Sequence, residues 1–333
     1  MNTANRRRAA GLGAAALVLI AVALVSVAVG SRSMSLSTVL TTLFGDSSPD
    51  NHFVVWDLRV PRTLVGIAVG ASLGVAGALM QALTRNPLAD PGLLGVNAGA
   101  AAAAALSVSV FGLTDLRSFV WFAFGGAAIA GTVLYLLASG GRTGASPVRL
   151  ALAGTAVSAA LTGITQAAML LNSQTLDQMR FWTVGSLTRV DGATLARVAP
   201  FLIAGLVLAG TLARPLNALA LGDDAGRALG ANLTRTRVLT LLAITLLAGA
   251  STAAVGPLVF VGLAVPHMVR AITGPDQRWV VPYCMVLAPA LLLAADVIGR
   301  VVARQELDVG VVTAVLGAPV FILLVRRSRV AQL

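Results

Sequence analysis

The side chains able to do chemistry are scarce, and their types exclude more than they offer. The chain has two histidines, His52 and His267, and one cysteine, Cys284, in 333 residues. The histidines lie too far apart in sequence to form a metal-ligand spacing, and a lone cysteine makes no intramolecular disulfide. No G-x-S-x-G nucleophile motif occurs. Every basic side chain is arginine; there is no lysine. A P-loop needs lysine on the β- and γ-phosphates of its nucleotide, so this chain does not hydrolyse ATP by that route. No catalytic set, metal site, cofactor or nucleic-acid partner is expected.

Four polar segments interrupt an otherwise apolar sequence. In Arg59-Val60-Pro61-Arg62-Thr63, Pro61 suits the first turn of a helix, where an N–H has no partner anyway. Arg59 and Arg62, three apart, then project from nearly one face. The stretch 81–97 carries two prolines, Pro87 and Pro91, and two glycines, Gly92 and Gly95, that break a helix. It offers an internal charge pair, Arg85 with Asp90. Asn86 and Pro87, with Ser146 and Pro147 further on, are candidates for lining an inner gate. The third segment, Leu221-Gly222-Asp223-Asp224-Ala225-Gly226-Arg227-Ala228-Leu229-Gly230, reads as a short helix bounded by glycines, with acids in its first turn to match the helix dipole. The fourth runs from Gly256-Pro257 to Pro266-His267, where a histidine beside a proline reads as structural.

These segments punctuate a membrane protein. The composition is 57% hydrophobic and 11% charged, with a mean hydropathy of +0.88, whereas soluble domains carry about 25% charged residues. The run 9–30 behind Arg6, Arg7 and Arg8 would reach about 33 Å as a helix, enough to cross a bilayer and too long for a secretory signal core. It is expected to be a retained first span. Ten spans are expected in all, near 9–30, 62–83, 93–111, 118–138, 148–171, 194–213, 236–254, 256–270, 279–299 and 309–325, the third and eighth being the weakest. One all-α domain over 1–333 is expected, with its longest inner loop at 214–235.

Orientation follows from the excess of arginine in inner loops. With the N-terminus inside, 15 of the 24 arginines and four acids fall on the inner side, a net charge of +11. Nine arginines and nine acids fall on the outer side, a net charge of zero. Both termini are therefore expected in the cytosol. Gly66, Gly70 and Gly74 recur every four residues in the second span, and Gly95 and Gly99 repeat the pattern, as helix packing in lipid requires. Charges within spans are almost absent, which argues against an ion-coupled secondary transporter. Asp296 and Arg300, at i and i+4, read as a mutually neutralised pair.

Taken in order, these stretches, together with Val255-Gly256-Pro257-Leu258-Val259-Phe260-Val261-Gly262-Leu263, Pro266-His267-Met268-Val269-Arg270 and Leu316-Gly317-Ala318-Pro319-Val320-Phe321, resemble the permease family of iron-siderophore, haem and vitamin B12 ABC importers. The resemblance spans essentially the whole chain. The stretches 84–99 and Arg180-Phe181-Trp182 are similar to the ferric-enterobactin branch. It implies a type II importer fold of about ten helices and a second permease subunit, with the pathway between the two. It also implies two ATPase subunits that bind ATP and Mg, an extracytoplasmic siderophore-binding protein, and a ferric siderophore, catecholate first, as cargo. Import of cobalamin or haem is the alternative within the family. The segment 221–230 matches the family's coupling helix, although the family often has Ala where Gly226 stands. Arg59, Arg62 and Arg300 match arginines that meet glutamates of the binding protein. A guanidinium fork suits such a carboxylate.

The orientation has a direct test. In a Cys284→Ser background, Ser47→Cys and Asp191→Cys should react with an impermeant thiol reagent added outside sealed cells, and Asp223→Cys should not. Outside labelling of Asp223→Cys would reverse the topology.

Overall fold

The computed structural model describes residues 3–30, 34–45, 48–113, 115–139, 147–188, 190–228, 230–303 and 306–327. Among them the chain forms helices α1 (Thr3–Ala28), α2 (Leu36–Phe44), α3 (Pro49–His52), α4 (Val60–Thr84), α5 (Val96–Ser109), α6 (Leu116–Ser139) and α7 (Pro147–Leu171). These are followed by α8 (Ser173–Trp182), α9 (Gly192–Ala220), α10 (Asp223–Ala228), α11 (Leu233–Val255), α12 (Val261–Thr273), α13 (Gln277–Val302) and α14 (Val309–Arg327). A π-helical turn (Phe53–Arg59) leads into α4, and a 3-10 turn (Pro91–Leu94) leads into α5.

Each of the ten expected spans is a helix. Seven of the described helical segments are long and apolar enough to cross a membrane, and Val96–Ser109, Val261–Thr273 and Val309–Pro319 are shorter apolar helices. The third and eighth spans are short for a visible reason: each begins with irregular backbone. Lipid offers no partners for such backbone, so it must be satisfied inside the protein. The Ser186 N–H donates to Val255 O at 2.8 Å, and the Gly310 N–H donates to Gly185 O at 3.0 Å. The segment after α8 thus pairs with the last residue of α11 and the first turn of α14.

The centre is α4, buried on all sides from Val69 to Thr84. It packs against α13, α12, α11 and α9. Without a hydrophobic drive between helices in lipid, close backbone approach supplies the attraction. A Cβ on Gly70 would stand 2.6 Å from Pro289 Cα, and one on Gly74 would stand 2.4 Å from Ala288 Cβ. At Gly77 it would lie 1.8 Å from Gly262 O. The stripe therefore extends one step beyond the three glycines noted in the sequence. Gly99 makes the same kind of contact with Gly126 O of α6. Gly95 does something different: its φ of 70° carries the chain from the 3-10 turn into α5, a left-handed conformation open to glycine at little cost.

Helix α1 belongs to this bundle. The Tyr283 hydroxyl of α13 donates to Arg8 O at 2.7 Å. A Cβ on Gly11 would meet that hydroxyl at 2.4 Å. Like the outer face of α1, where Leu17 and Ile20 are exposed, α7 leaves Leu152, Ile164, Leu170 and Leu171 exposed, as a helix does when lipid or a second subunit covers it.

Gly77→Ala should lower thermal stability in detergent, by about 1–3 kcal/mol of overpacking, because the obstruction is backbone. Gly13→Ala, with open space around its Cβ, should not. Equal melting temperatures for the two variants would remove Gly77 from the packing argument.

Candidate functional site

Two polar clusters stand at opposite ends of the bundle. At the end expected to face outward, the last carbonyls of α1 have no partner within the helix and carry the negative end of its dipole. Two arginines close it. Arg59 Nη1 donates to Val27 O at 2.9 Å and to Ala28 O at 2.7 Å. Arg300 Nη1 donates to Ser26 O at 2.7 Å and to Val29 O at 2.9 Å. A Cβ on Gly30 would lie 2.7 Å from Arg59 Nη2, so glycine here leaves the guanidinium room to reach the end of α1. The Ser26 and Thr63 hydroxyls join α1 to α4 at 2.9 Å.

Asp296 sits beneath this cap, fully buried. It accepts Arg62 Nη2 at 2.7 Å and Arg62 Nε at 3.1 Å, and it also accepts Arg300 Nη2. Arg62 Nη1 reaches Glu306 at 2.8 Å. The i, i+4 pairing of Asp296 with Arg300 is as the sequence led one to expect. The common exposed face is not. Arg59 and Arg300 turn inward because the end of α1 and a buried carboxylate need them, with 1% of the Arg300 side chain exposed. Arg62, 13% exposed, and Glu306, 30% exposed, form the edge that reaches the surface.

At the other end, α10 fills the corner between α9 and α11. Gly222 and Gly230 adopt φ values of 106° and 78°, so both bounding glycines serve left-handed turns. Leu221, Asp224, Ala225 and Arg227 are exposed, and Leu229 lies outside the described residues. Gly226 is buried, and a Cβ there would stand 3.1 Å from Leu233 Cδ2 and 3.2 Å from Ala218 O. Close seating of α10 thus offsets the roughly 1 kcal/mol that glycine costs inside a helix.

Asp223 is the hub of this corner. Arg85 Nη2 donates to its Oδ1 at 2.6 Å, and Arg237 Nη2 donates to its Oδ2 at 2.7 Å. Burial pushes its carboxyl up, but the hydrogen bonds from Arg237 and Arg85 outweigh this and hold it below the usual carboxylate range. Arg85 Nε also donates to Leu219 O at 2.9 Å. Arg85 itself ends α4 in a left-handed conformation with φ 52°, which costs a non-glycine residue roughly 1–2 kcal/mol. The pairing of Arg85 with Asp90 expected from sequence does not form. Asp90 instead accepts the Gly92 N–H at 2.8 Å and starts the 3-10 turn, and burial pushes its carboxyl up. Nearby, Arg278 and Asn217 hold Asp276, the N-cap of α13, down to about 2.

Of the inner-gate candidates, Asn86 and Pro87 are exposed in the turn after α4. Pro147 opens α7, and Ser146 lies outside the described residues. Sequence reasoning missed Arg237, Glu306 and Ser26 as members of these clusters, and no local pattern marks them.

This arrangement has relatives. The FecCD transport family matches residues 18–327. The chain belongs to that family. Among FecCD relatives, the ferric enterobactin transport system permease protein FepD of Escherichia coli (strain K12) is 49% identical over 298 residues, covering 89% of each chain. The Fe(3+)-citrate import system permease protein YfmD of Bacillus subtilis (strain 168) is 41% identical, covering 89% of this chain and 88% of its own. The hemin transport system permease protein HmuU of Yersinia pestis is 37% identical, covering 89% and 90%. The fold also matches a solved metal-chelate type ABC transporter in an inward-facing conformation. That match has a TM-score of 0.85 at 24% identity and covers 95% of this chain and 98% of that one. The FecCD chain described here is therefore a multi-pass membrane protein with a permease fold.

The outer cluster makes a stability prediction. Asp296→Ala leaves the buried Arg300 guanidinium without a carboxylate and Arg62 with Glu306 alone, and stranding a buried charge typically costs about 3–5 kcal/mol. Asp224→Ala, on a fully exposed pair of 3.3 Å, should leave the melting temperature unchanged. Equal melting temperatures in the two variants would show that the buried network is not needed.

Proposed function

We propose that the chain is the membrane-spanning permease subunit of an ABC importer that carries a ferric siderophore of the catecholate class across the cytoplasmic membrane. The observation that carries this reading is the 49% identity to a ferric enterobactin permease over nearly nine-tenths of both chains. The bundle chemistry agrees with it. At the outer end the buried Asp296 is neutralised by Arg62 and Arg300, so this carboxylate offers an ion gradient no titrating step with which to drive transport. With no lysine there is no P-loop, and the work falls to two ATPase subunits that bind ATP and Mg.

On this reading both termini are cytosolic, and the exposed side of α10, with Leu221, Asp224, Ala225 and Arg227, meets an ATPase. A second permease subunit completes the pathway, Asn86 and Pro87 border its inner mouth, and a siderophore-binding protein docks on the outer side. There Arg62 and Glu306 form the contact edge, and Arg59 and Arg300 hold the end of α1 beneath it. A carboxylate from the binding protein would compete with Glu306 for Arg62, which steers docking and sets register more than it adds affinity.

A strain lacking the gene should lose uptake of radio-iron ferric enterobactin under iron limitation and regain it with the wild-type chain. Arg62→Glu should lower binding-protein affinity for the reconstituted transporter by about tenfold, and the loss should shrink as salt rises. Loss of haem uptake alone would favour the second reading, to which the hemin relative points. Unchanged uptake of both would refute the assignment.

A further inference from the structure

We infer that Arg85 is a positioning residue that ties the turn bearing Asn86 and Pro87 to α10, so that movement of α10 reaches that turn through one guanidinium. The inference rests on the reading of α10 as the ATPase docking element.

Both ends of the tie are stiff. On one side, the Asn86 N–H donates to Gln81 O at 3.2 Å, Asn86 Oδ1 accepts the Leu88 N–H at 2.9 Å, and the Ala89 N–H donates to Asn86 O at 3.2 Å. Arg85 and the turn therefore move as one piece. On the other side, Asp223 cannot swing away, because Arg237 holds its second oxygen at 2.7 Å. Gly226 seats the rest of α10 against α9 and α11.

Between these ends Arg85 uses two arms, one to Asp223 and one to the backbone carbonyl of Leu219. It thereby grips the corner at two points and fixes direction as well as distance. A lysine, with one ammonium on a flexible stem, cannot hold both. The Arg85–Asp223 pair is about one-third exposed on each side, where an ion pair adds little to stability. Its effect is to register two elements far apart in sequence.

The test uses the thiol-labelling rate of Asn86→Cys in the purified full chain, in a Cys284→Ser background. Arg85→Ala and Asp223→Ala should each raise that rate at least about threefold, and the double variant should raise it no further, as for two residues acting through one contact. Arg85→Lys should fall between. Unchanged rates, or effects that multiply in the double variant, would overturn the tie. In the transporter assembled with its ATPase, radio-iron ferric enterobactin moved per ATP should drop in the same order, and a wild-type ratio in Arg85→Ala would also overturn it. If the wild-type chain binds no ATPase, the reading of α10 fails, while the labelling cycle still decides whether Arg85 positions the turn.

Discussion

Backbone-to-backbone contact between α4 and its neighbours is the constraint on which the rest of this structure depends. Gly77 rests on the Gly262 carbonyl, and Gly70 rests on Pro289. In water such closeness would be one option among several. In lipid, where apolar side chains gain nothing by leaving the solvent, dispersion between closely fitted surfaces is a main source of helix association. With α4 held at this depth, its two ends are placed as well: Arg62 against Asp296 of α13, and Arg85 at the corner of α9 and α10. The two clusters are separated by the whole length of α4, yet both are anchored by the same central contact.

A second rule shapes both clusters. Helix ends leave carbonyls without partners, and irregular segments leave more. The protein answers with side chains from elsewhere in the sequence. Arg59 and Arg300 close α1. Arg85 reaches Leu219 O at the end of α9. Gln81 Nε2 of α4 donates to Leu263 O in the first turn of α12 at 3.1 Å. Arginine suits this work because its planar fork gives several donors and keeps its charge when buried. The same fork would serve recognition of a partner's carboxylate, so a sequence pattern of arginines does not tell the two uses apart.

The function proposed for this FecCD chain asks for little chemistry and much mechanics. A permease driven by another subunit has no bond to break. Its residues must hold helices in one arrangement, allow a second, and transmit the choice between faces. The bundle is built for such mechanics, with a tightly packed middle, a buried ion network at one end and a half-exposed one at the other. The buried network, once assembled, is costly to open, because each charge would be left in a poor solvent. The half-exposed one adds little to stability but holds its elements in register through several donors at once.

The amino-acid sequence by itself determined the class, the helices and the family. Apolar runs long enough to cross a bilayer, the glycine spacing of α4, the proline and glycine breaks and the glycine-bounded segment at 221–230 act over a few residues, and local rules read them correctly. The pairing of Asp296 with Arg300 was legible for the same reason, since four residues on a helix bring side chains together. What the tertiary structure alone decided is which distant groups meet. Arg85 was paired in sequence with Asp90, five residues on, and in space it meets Asp223 instead. Arg59 and Arg300 matched, by family resemblance, arginines that meet a partner's glutamates, and in the fold they cap α1. Glu306 and Arg237 carried no local signal at all. In each case the partner is a group that is distant in sequence, and where it lies is set by how the whole bundle packs.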